Sequence, residues 1–370
     1  MKKVLYIAAG GGGDALSALA LASGSGTENL FASFSWDRKM YDPDPGPRSI
    51  DDFEAVERVG KYNAFVSGKS ALKKKEAKSF LPLIAEEFHT PFLLLELCRG
   101  IRGLHRQIEE TVRLFEIDAI NIVDVGGDIL GSGLEKTLKS PLADAGVLAA
   151  CHGLPVKISV LAAGCGLDGE LSQDELRKIL PQLTVTRSYN LSSAAPGTRR
   201  DLGRYIHAFQ WLPSEASALF LMANCQKYGV CEIRQDGSVV ELNKFAETVY
   251  EIDYSDVYRH SVIAGETLHT ESLDELENIV RALTGRSELD VERRKQKAIE
   301  KWDDTRTNEE LFRQLKVISV QKKKAGIDFL TWRRICEILN LPGKSRDNFI
   351  KYLEQHHSRQ FVPPLWQCSV

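Results

Sequence analysis

The chain has 370 residues, of which 43% are hydrophobic and 27% are charged, and its formal net charge is −3. This composition is typical of a globular protein, and the length exceeds what one compact core usually needs. A nearly neutral chain gives no electrostatic reason to expect nucleic acid as a general partner, and no apolar run approaches the roughly 20 residues that span a bilayer. We therefore expect neither a membrane protein nor a general nucleic-acid-binding protein.

The seven cysteines are scattered along the chain, and no two of them form a CxxC pair. An odd number of cysteines over this length is typical of reduced thiols in a cytoplasm-like compartment, not of a disulfide framework. A structural zinc site would need closer clustering of cysteine and histidine. The cysteine pattern therefore predicts a cytoplasmic protein.

The chain begins with a strand, a helix and a second strand. Residues Lys2 to Ala9 are short, apolar and followed by glycine, which predicts a buried strand. Asp14 to Ser23, DALSALALAS, predict a helix of small residues, and Leu30 to Trp36 predict a second strand that ends at Asp37. The segment FEAVERVGKYNAFVS has apolar residues near period two and predicts a short hairpin.

From Phe92 onwards, strand patterns alternate with helix patterns. FLLLEL, AINIVDV and VKISVLAAG read as buried strands, and the segments after them have the length and pattern of helices. The helix after the last of these strands begins with a capping box, in which Ser172 is followed three residues later by Glu175. This alternation predicts a Rossmann-like α/β fold, with an open, mostly parallel sheet and helices on both faces.

The pattern changes after Leu183. A helical stretch is interrupted near Pro213, CEIRQDGSVVEL predicts a hairpin with Asp236 and Gly237 at its turn, and AETVYEID predicts a further strand. From residue 286 the chain is charge-dense and reads as entirely helical. We therefore predict an α/β ligand-binding domain over residues 1–285 and a helical C-terminal extension over residues 286–370.

Three predicted strands end in short segments rich in glycine and acidic residues. The segments are GGGGD with Asp14, DVGGD with Asp124 and Asp128 followed by Glu135, and GCGLDGE with Asp168 and Glu170. Open parallel sheets bind ligands outside the carboxyl ends of their strands, and glycine there lets the backbone approach a ligand. Each segment taken alone fits a tight turn followed by a capping aspartate. Because three segments share the pattern, we predict that they form one acidic, glycine-lined crevice.

Within this crevice we predict Asp14, Asp128 and Asp168 as catalytic residues. The predicted ligand-binding residues are Gly10, Gly11, Gly12, Gly13, Asp37, Asp124, Gly126, Gly127, Gly164, Gly166, Glu170 and Arg199. Carboxylates suit a divalent cation, an amine or the hydroxyls of a sugar, whereas phosphate also needs basic partners. The candidate basic partners are Arg38, Arg99, Arg102, Arg187, Arg199 and Arg200.

The first glycine loop also fits the dinucleotide-binding fingerprint. Gly10, Gly12 and Ala15 match G-x-G-x-x-[G/A], and Asp37 follows about 20 residues later. Poly-glycine matches many registers by accident, however, and Asp14 puts a negative charge where a pyrophosphate should lie. NAD(P) is therefore an alternative cofactor to a divalent metal, and the sequence does not choose between them.

Three further side chains have chemistry that suits a site. His105 and His207 have the acid–base range for neutral pH, and Cys165 lies between two glycines at a strand end. Both histidines lie in helical patterns, where packed or surface positions are commoner, and no partner histidine is identifiable for the cysteine. We expect structural roles for all three.

The stretches GGGGDALSALALA, VDVGGDILGSGLEKTLKSPLADAGVLAA and GCGLDGEL together resemble a family of archaeal and bacterial proteins catalogued only as a domain of unknown function. The resemblance covers roughly residues 2 to 285. It implies that these three stretches form the core of the family, and it carries no established reaction.

The leading hypothesis is an enzyme that binds a nucleotide, nucleoside or phosphorylated sugar-like metabolite, with group transfer or hydrolysis as the preferred chemistry. The first alternative is an NAD(P)-dependent oxidoreductase. The second is a non-catalytic regulatory protein whose C-terminal helices bind a partner or DNA. The substrate, the metal dependence and the oligomeric state stay open.

Overall fold

The computed structural model describes residues 1–38, 41–44, 46–191, 198–234, 238–290 and 305–369. The first half of the chain contains β1 (Lys3–Ala8), α1 (Gly12–Ala22), β2 (Glu28–Phe34), β3 (Phe53–Glu54), β4 (Glu57–Val59), β5 (Asn63–Val66), β6 (Ala71–Leu72), α2 (Leu81–Glu87), β7 (Phe92–Leu95), α3 (Gly100–Phe115), β8 (Ala119–Val125), α4 (Pro141–Ala150), β9 (Lys157–Ala163) and α5 (Gln173–Ile179).

The second half contains β10 (Val185–Tyr189), α6 (Thr198–Ala208), α7 (Glu215–Asn224), β11 (Gly229–Glu232), β12 (Val239–Leu242), α8 (Lys244–Glu247), β13 (Val249–Asp253), α9 (Tyr254–His260), α10 (Val262–Thr267), α11 (Leu273–Thr284), α12 (Asn308–Lys324), β14 (Phe329–Thr331), α13 (Trp332–Leu339), α14 (Gly343–His356), β15 (Phe361–Val362) and β16 (Leu365–Gln367). Short 3₁₀ turns occupy Ile50–Asp52, Asp128–Leu130 and Leu180–Gln182.

The largest sheet has nine strands in the order β10-β13-β9-β8-β1-β2-β7-β5-β4. Its five central strands, from β9 to β7, are parallel to their neighbours, and the strands at both edges are antiparallel. Counted along the chain, the five central strands have the order 3-2-1-4-5, which is the order of doubly wound folds. The predicted α/β fold with a mostly parallel sheet is therefore confirmed, and the strand order reverses between β1 and β8.

The central strands are mostly apolar, as expected where helices cover both faces of a sheet. In β1, successive side chains point to opposite faces, so Val4 and Tyr6 pack into one layer, whereas Leu5 and Ile7 pack into the other. The first layer includes α1, α2, α6 and α7, and the second includes α3, α4, α9, α10 and α11. This two-sided burial explains why the strand patterns of the sequence are continuous apolar runs.

The C-terminal segment is not entirely helical, contrary to the prediction for residues 286–370. It contributes α12, α13 and α14 but also β14, β15 and β16, and these strands join the hairpin of β11 and β12 in a second sheet of order β12-β11-β14-β16-β15. The apolar run Phe329–Thr331 is short and leads directly into α13, so its local pattern does not distinguish a strand from the start of a helix. Its pairing with β11 is a long-range contact that no local pattern reveals.

The predicted hairpin of β11 and β12 is confirmed by their antiparallel pairing, although Asp236 and Gly237 lie outside the described residues. All seven cysteines lie in the described part of the chain, and each is a free thiol. None of the helices that the structure describes combines the length and apolarity required to cross a bilayer.

Candidate functional site

A cavity of about 180 Å³ lies outside the carboxyl ends of β1 and β8, where the strand order reverses. Doubly wound sheets bind their ligands at this position. The predicted residues that line it are Gly10, Gly11, Gly12, Gly13, Asp14, Asp37, Asp124, Asp128 and Asp168. The structure therefore brings together acidic residues from all three predicted strand ends and the glycine loop between β1 and α1.

The four glycines are required because the start of α1 packs closely against its neighbours. A side chain at Gly11 would place its Cβ atom 2.8 Å from the carbonyl oxygen of Trp36, and one at Gly12 would place it 3.2 Å from Asp37 Oδ1. A Cβ atom at Gly10 would overlap the carboxylate of Asp14, and one at Gly13 would overlap Ser214. The loop thus places Gly12 and Gly13, the first two residues of α1, at the cavity.

We expect Gly13→Ala to lower the free energy of unfolding by about 1–3 kcal/mol, because the added methyl group overlaps both Cβ and Oγ of Ser214. Chemical denaturation of the variant measures this loss. The double variant with Ser214→Gly should recover part of it. An unchanged stability of Gly13→Ala would show that the helix is less tightly packed than described.

Asp14 lies in the first turn of α1 and turns back toward the glycine loop. Its Oδ2 accepts a hydrogen bond of 3.0 Å from the N–H of Gly10. Burial raises the pKa of Asp14 well above its ordinary value, and the neighbouring Asp124 raises it further, whereas Gly10 and Arg38 lower it. Asp14 therefore stabilises the loop and at the same time faces the cavity.

Asp124 lies at the end of β8, and Asp128 lies on the turn that follows this strand. Asp124 is 2% exposed, and its Oδ2 accepts a hydrogen bond of 2.9 Å from the N–H of Gly127, whose φ of +89° favours glycine. Burial raises the pKa of Asp124 to about 6, and a hydrogen bond from Asp128 opposes that rise. Burial also raises the pKa of Asp128 well above its ordinary value, and the nearby Asp144 adds to that rise.

Asp168 lies on the turn after β9, against the glycines that follow β8. Its Oδ1 accepts a hydrogen bond of 3.0 Å from the N–H of Glu170. Gly126 has a φ of +144°, and a Cβ atom there would lie 2.7 Å from Cγ of Asp168. Burial raises the pKa of Asp168 to about 7, Glu170 raises it further, and Arg234 lowers it. A carboxyl group with this pKa has the range of a general base at neutral pH.

Asp37 lies three residues beyond β2, beside Gly12. Its Oδ2 accepts a hydrogen bond of 3.1 Å from the N–H of Phe80 at the start of α2. Burial raises the pKa of Asp37 to about 7, and the hydrogen bond from Phe80 acts in the opposite direction. The side chain therefore links α2 to the cavity wall.

The remaining predicted glycines and Glu170 support the cavity wall without lining it. Gly126 and Gly127 shape the turn after β8, while Gly164 packs against Val125 and Phe220 and Gly166 packs against Gln173. Glu170 accepts hydrogen bonds from the N–H groups of Lys139 and Ser140 just before α4. Sequence reasoning found these strand ends but did not separate the lining residues from the supporting ones.

Among the predicted basic partners, Arg38 lines the cavity. Arg102 forms an ion pair with Glu271, Arg187 stacks on Tyr189, and Arg99 lines a separate surface pocket. The side chains of Arg199 and Arg200, at the start of α6, lie outside the described residues.

The contacts and positions of His105, Cys165 and His207 give no evidence for a role of these residues in the cavity. His105 Nδ1 lies 2.8 Å from the carbonyl oxygen of Ala150, a contact that links α3 to the end of α4. Cys165 is fully buried, and burial raises the pKa of its thiol, so it is not an activated nucleophile. His207 lies in the last turn of α6 and is not among the residues that line the cavity.

Sequence reasoning missed five charged side chains that line the cavity: Asp144, Glu215, Arg234, Glu288 and Arg333. Asp144 lies in the first turn of α4, where an acidic residue is common for reasons of helix stability alone. Arg234 follows β11, and Arg333 lies on α13 of the C-terminal segment, 3.8 Å from the carboxylate of Glu215. The weak signal for Arg234 was an arginine at the end of the strand pattern CEIR.

Arg333 shows that the C-terminal segment takes part in the cavity. The pairing of β14 with β11 brings the start of α13 to the wall of the cavity, next to the start of α7. The cavity is therefore lined by elements that lie more than 300 residues apart in the chain, from the glycine loop at Gly10 to Arg333 on α13.

A family model described as "Protein of unknown function (DUF1152)" matches residues 5–296 of the chain. No curated protein and no solved structure matches it.

Proposed function

The chain belongs to the family described as protein of unknown function (DUF1152), and from the geometry of its cavity we propose that it is an enzyme acting on a small phosphorylated sugar, nucleoside or nucleotide by group transfer or hydrolysis. One observation carries this proposal. Buried and half-buried carboxyl groups from three strand ends and a buried arginine face one small cavity at the strand-order reversal.

Arg234 is evidence that the ligand carries an anionic group. The residue is 9% exposed, and its Nε has no hydrogen-bond partner within the part of the chain that the structure describes. A buried guanidinium donor without a partner is costly, and phosphate oxygens satisfy such donors well. The N-terminus of α1 lies at the same cavity, where its dipole favours negative charge and the carboxylate of Asp14 opposes it.

The carboxyl groups of the cavity are evidence for a ligand with hydroxyl groups and for acid–base catalysis. Carboxylates accept hydrogen bonds from sugar hydroxyls, and Asp168, with a pKa of about 7, suits proton removal from an attacking hydroxyl or water. The cavity of about 180 Å³ is smaller than the roughly 300–1,000 Å³ of cavities that hold drug-sized ligands. This size favours a monosaccharide phosphate or a nucleoside monophosphate over a dinucleotide.

The experiment is a thermal-shift screen of the full chain with sugar monophosphates, nucleosides, nucleoside monophosphates and NADH, followed by product analysis of each ligand that binds. We expect a phosphorylated ligand to raise the melting temperature, because a ligand at a hundredfold excess over its Kd stabilises the protein by about 2.7 kcal/mol. Stabilisation by NADH alone would favour the oxidoreductase alternative. Binding without turnover under any condition would favour a regulatory protein.

A further inference from the structure

Two groups of three carboxyl residues at the cavity each have one oxygen per residue within 4.8 Å of the others. The first group contains Asp124, Asp128 and Asp144, and the second contains Asp128, Asp168 and Glu170. The groups share Asp128, and a single cation bound to Asp128 would take its other ligands from one group or from the other. The hydrogen bonds of Glu170 and the unpaired buried oxygen of Asp144 distinguish between the two groups.

Both oxygens of Glu170 already accept hydrogen bonds. Oε2 accepts from the N–H groups of Lys139 and Ser140, and Oε1 accepts from the hydroxyl of Ser140 at 2.8 Å. Asp168 Oδ1 is also occupied, by the N–H of Glu170. A cation in the second group would have to compete with these bonds.

Asp144, in contrast to Glu170, has a carboxylate oxygen that is available to a cation. It is 6% exposed, and its Oδ1 is buried without a hydrogen-bond partner in the described part of the chain. The charged neighbours that act most strongly on its carboxyl group are themselves carboxyl residues, namely Asp124, Asp14, Glu288 and Glu170. A buried carboxylate in such surroundings is costly unless a cation is bound to it.

Asp124 and Asp128 complete the group around Asp144. One carboxylate oxygen of each lies within 4.8 Å of an oxygen of Asp144, and Asp124 is 2% exposed. A divalent cation bound between the three carboxylates would offset their negative charge. No histidine or cysteine is among the described residues that line the cavity, so its side-chain ligands are oxygen atoms.

We infer that Asp124, Asp128 and Asp144 bind one divalent cation of the oxygen-preferring class, Mg²⁺ or Mn²⁺. This inference deepens the proposed function by naming a cofactor. A role of the cation in turnover rests on the proposed function, whereas binding of the cation to the protein does not. Bound here, beside the N-terminus of α1, the cation would lie next to the phosphate of the ligand and offset its charge.

The test is a titration of the metal-free full chain with Mn²⁺ alone, followed by electron paramagnetic resonance and by calorimetry. We expect one saturable site, competed by Mg²⁺, and a loss of affinity of at least about tenfold in Asp144→Asn. Asp174→Asn, which changes an exposed carboxylate paired with Arg177 on α5, is the matched control and should leave the affinity unchanged.

Asp168→Asn separates the two groups, and we expect it to weaken Mn²⁺ binding less than Asp144→Asn does. The inference is overturned by the absence of saturable binding, by an unchanged affinity in Asp144→Asn, or by a larger loss in Asp168→Asn. The metal-free melting temperature of each variant shows that it is folded. Because no metabolite is present, Mn²⁺ can bind even if the proposed function fails, and the two failures are distinguishable.

Discussion

Replacing Asp37 by asparagine should raise the free energy of unfolding of the ligand-free protein at pH 8, and raise it less at pH 5. The folded-state pKa of Asp37 is about 7, above the ordinary value of 3.8, because the group is buried. Between these two values the folded state binds more protons than the unfolded state, so the stability falls as the pH rises. Asparagine removes this titration and still accepts the hydrogen bond from Phe80.

At pH 8 the wild-type protein must bury an ionised carboxylate, which costs about 1–4 kcal/mol for a shift of this size in a partly screened site. Urea denaturation at both pH values, in a chelating buffer, measures the difference between the variant and the wild type. Asp174→Asn, at an exposed position, is the control. A gain that is equal at both pH values, or a loss at pH 8, would contradict the account.

Replacing Arg234 by methionine should weaken binding of a phosphorylated ligand by about 10–100-fold. The reason is the loss of a charge-assisted hydrogen bond, worth about 1.5–3 kcal/mol, from a guanidinium that has an unpaired buried donor at the cavity. Methionine preserves much of the side-chain volume and removes the charge. Calorimetric titration with the tightest ligand of the metabolite screen measures the change in Kd.

The matched control for Arg234 is Arg177→Met. Arg177 is an arginine on α5 that pairs with Asp174 and lies over the ring of Phe245, and it does not line the cavity. Its replacement should leave the Kd unchanged. Equal losses in the two variants would indicate that the overall charge of the protein attracts the ligand and that Arg234 has no specific role.

The parallel core was predictable because its signals are local. Continuous apolar strands followed by helices define the sheet, and the capping box of Ser172 and Glu175 marked the start of α5 correctly. The same logic located Asp14, Asp128 and Asp168, because the end of a parallel strand determines the edge of the sheet at which a side chain lies. One rule of topology therefore sufficed for the acidic residues at the strand ends, but not for Asp144 on α4.

The rest of the cavity depends on contacts that are distant in the sequence. Asp144 resembles an ordinary first-turn aspartate until α4 is packed beside β8, and Arg333 reaches the cavity only because β14 pairs with β11. Glu170 was predicted to contact the ligand because it follows a strand end. Its carboxylate instead accepts hydrogen bonds from the N–H and the hydroxyl of Ser140, just before α4. Tertiary packing, not residue type, separates these cases.

The central claim is that Asp14, Asp128 and Asp168 contact one shared ligand. The most direct measurement is the thermal shift produced by the tightest phosphorylated ligand, with the divalent cation present, in the wild type and in Asp14→Asn, Asp128→Asn and Asp168→Asn. The account predicts a shift in the wild type that is strongly reduced in all three variants, even though each variant is folded in the absence of ligand. A shift that persists undiminished in all three would show that the ligand binds elsewhere.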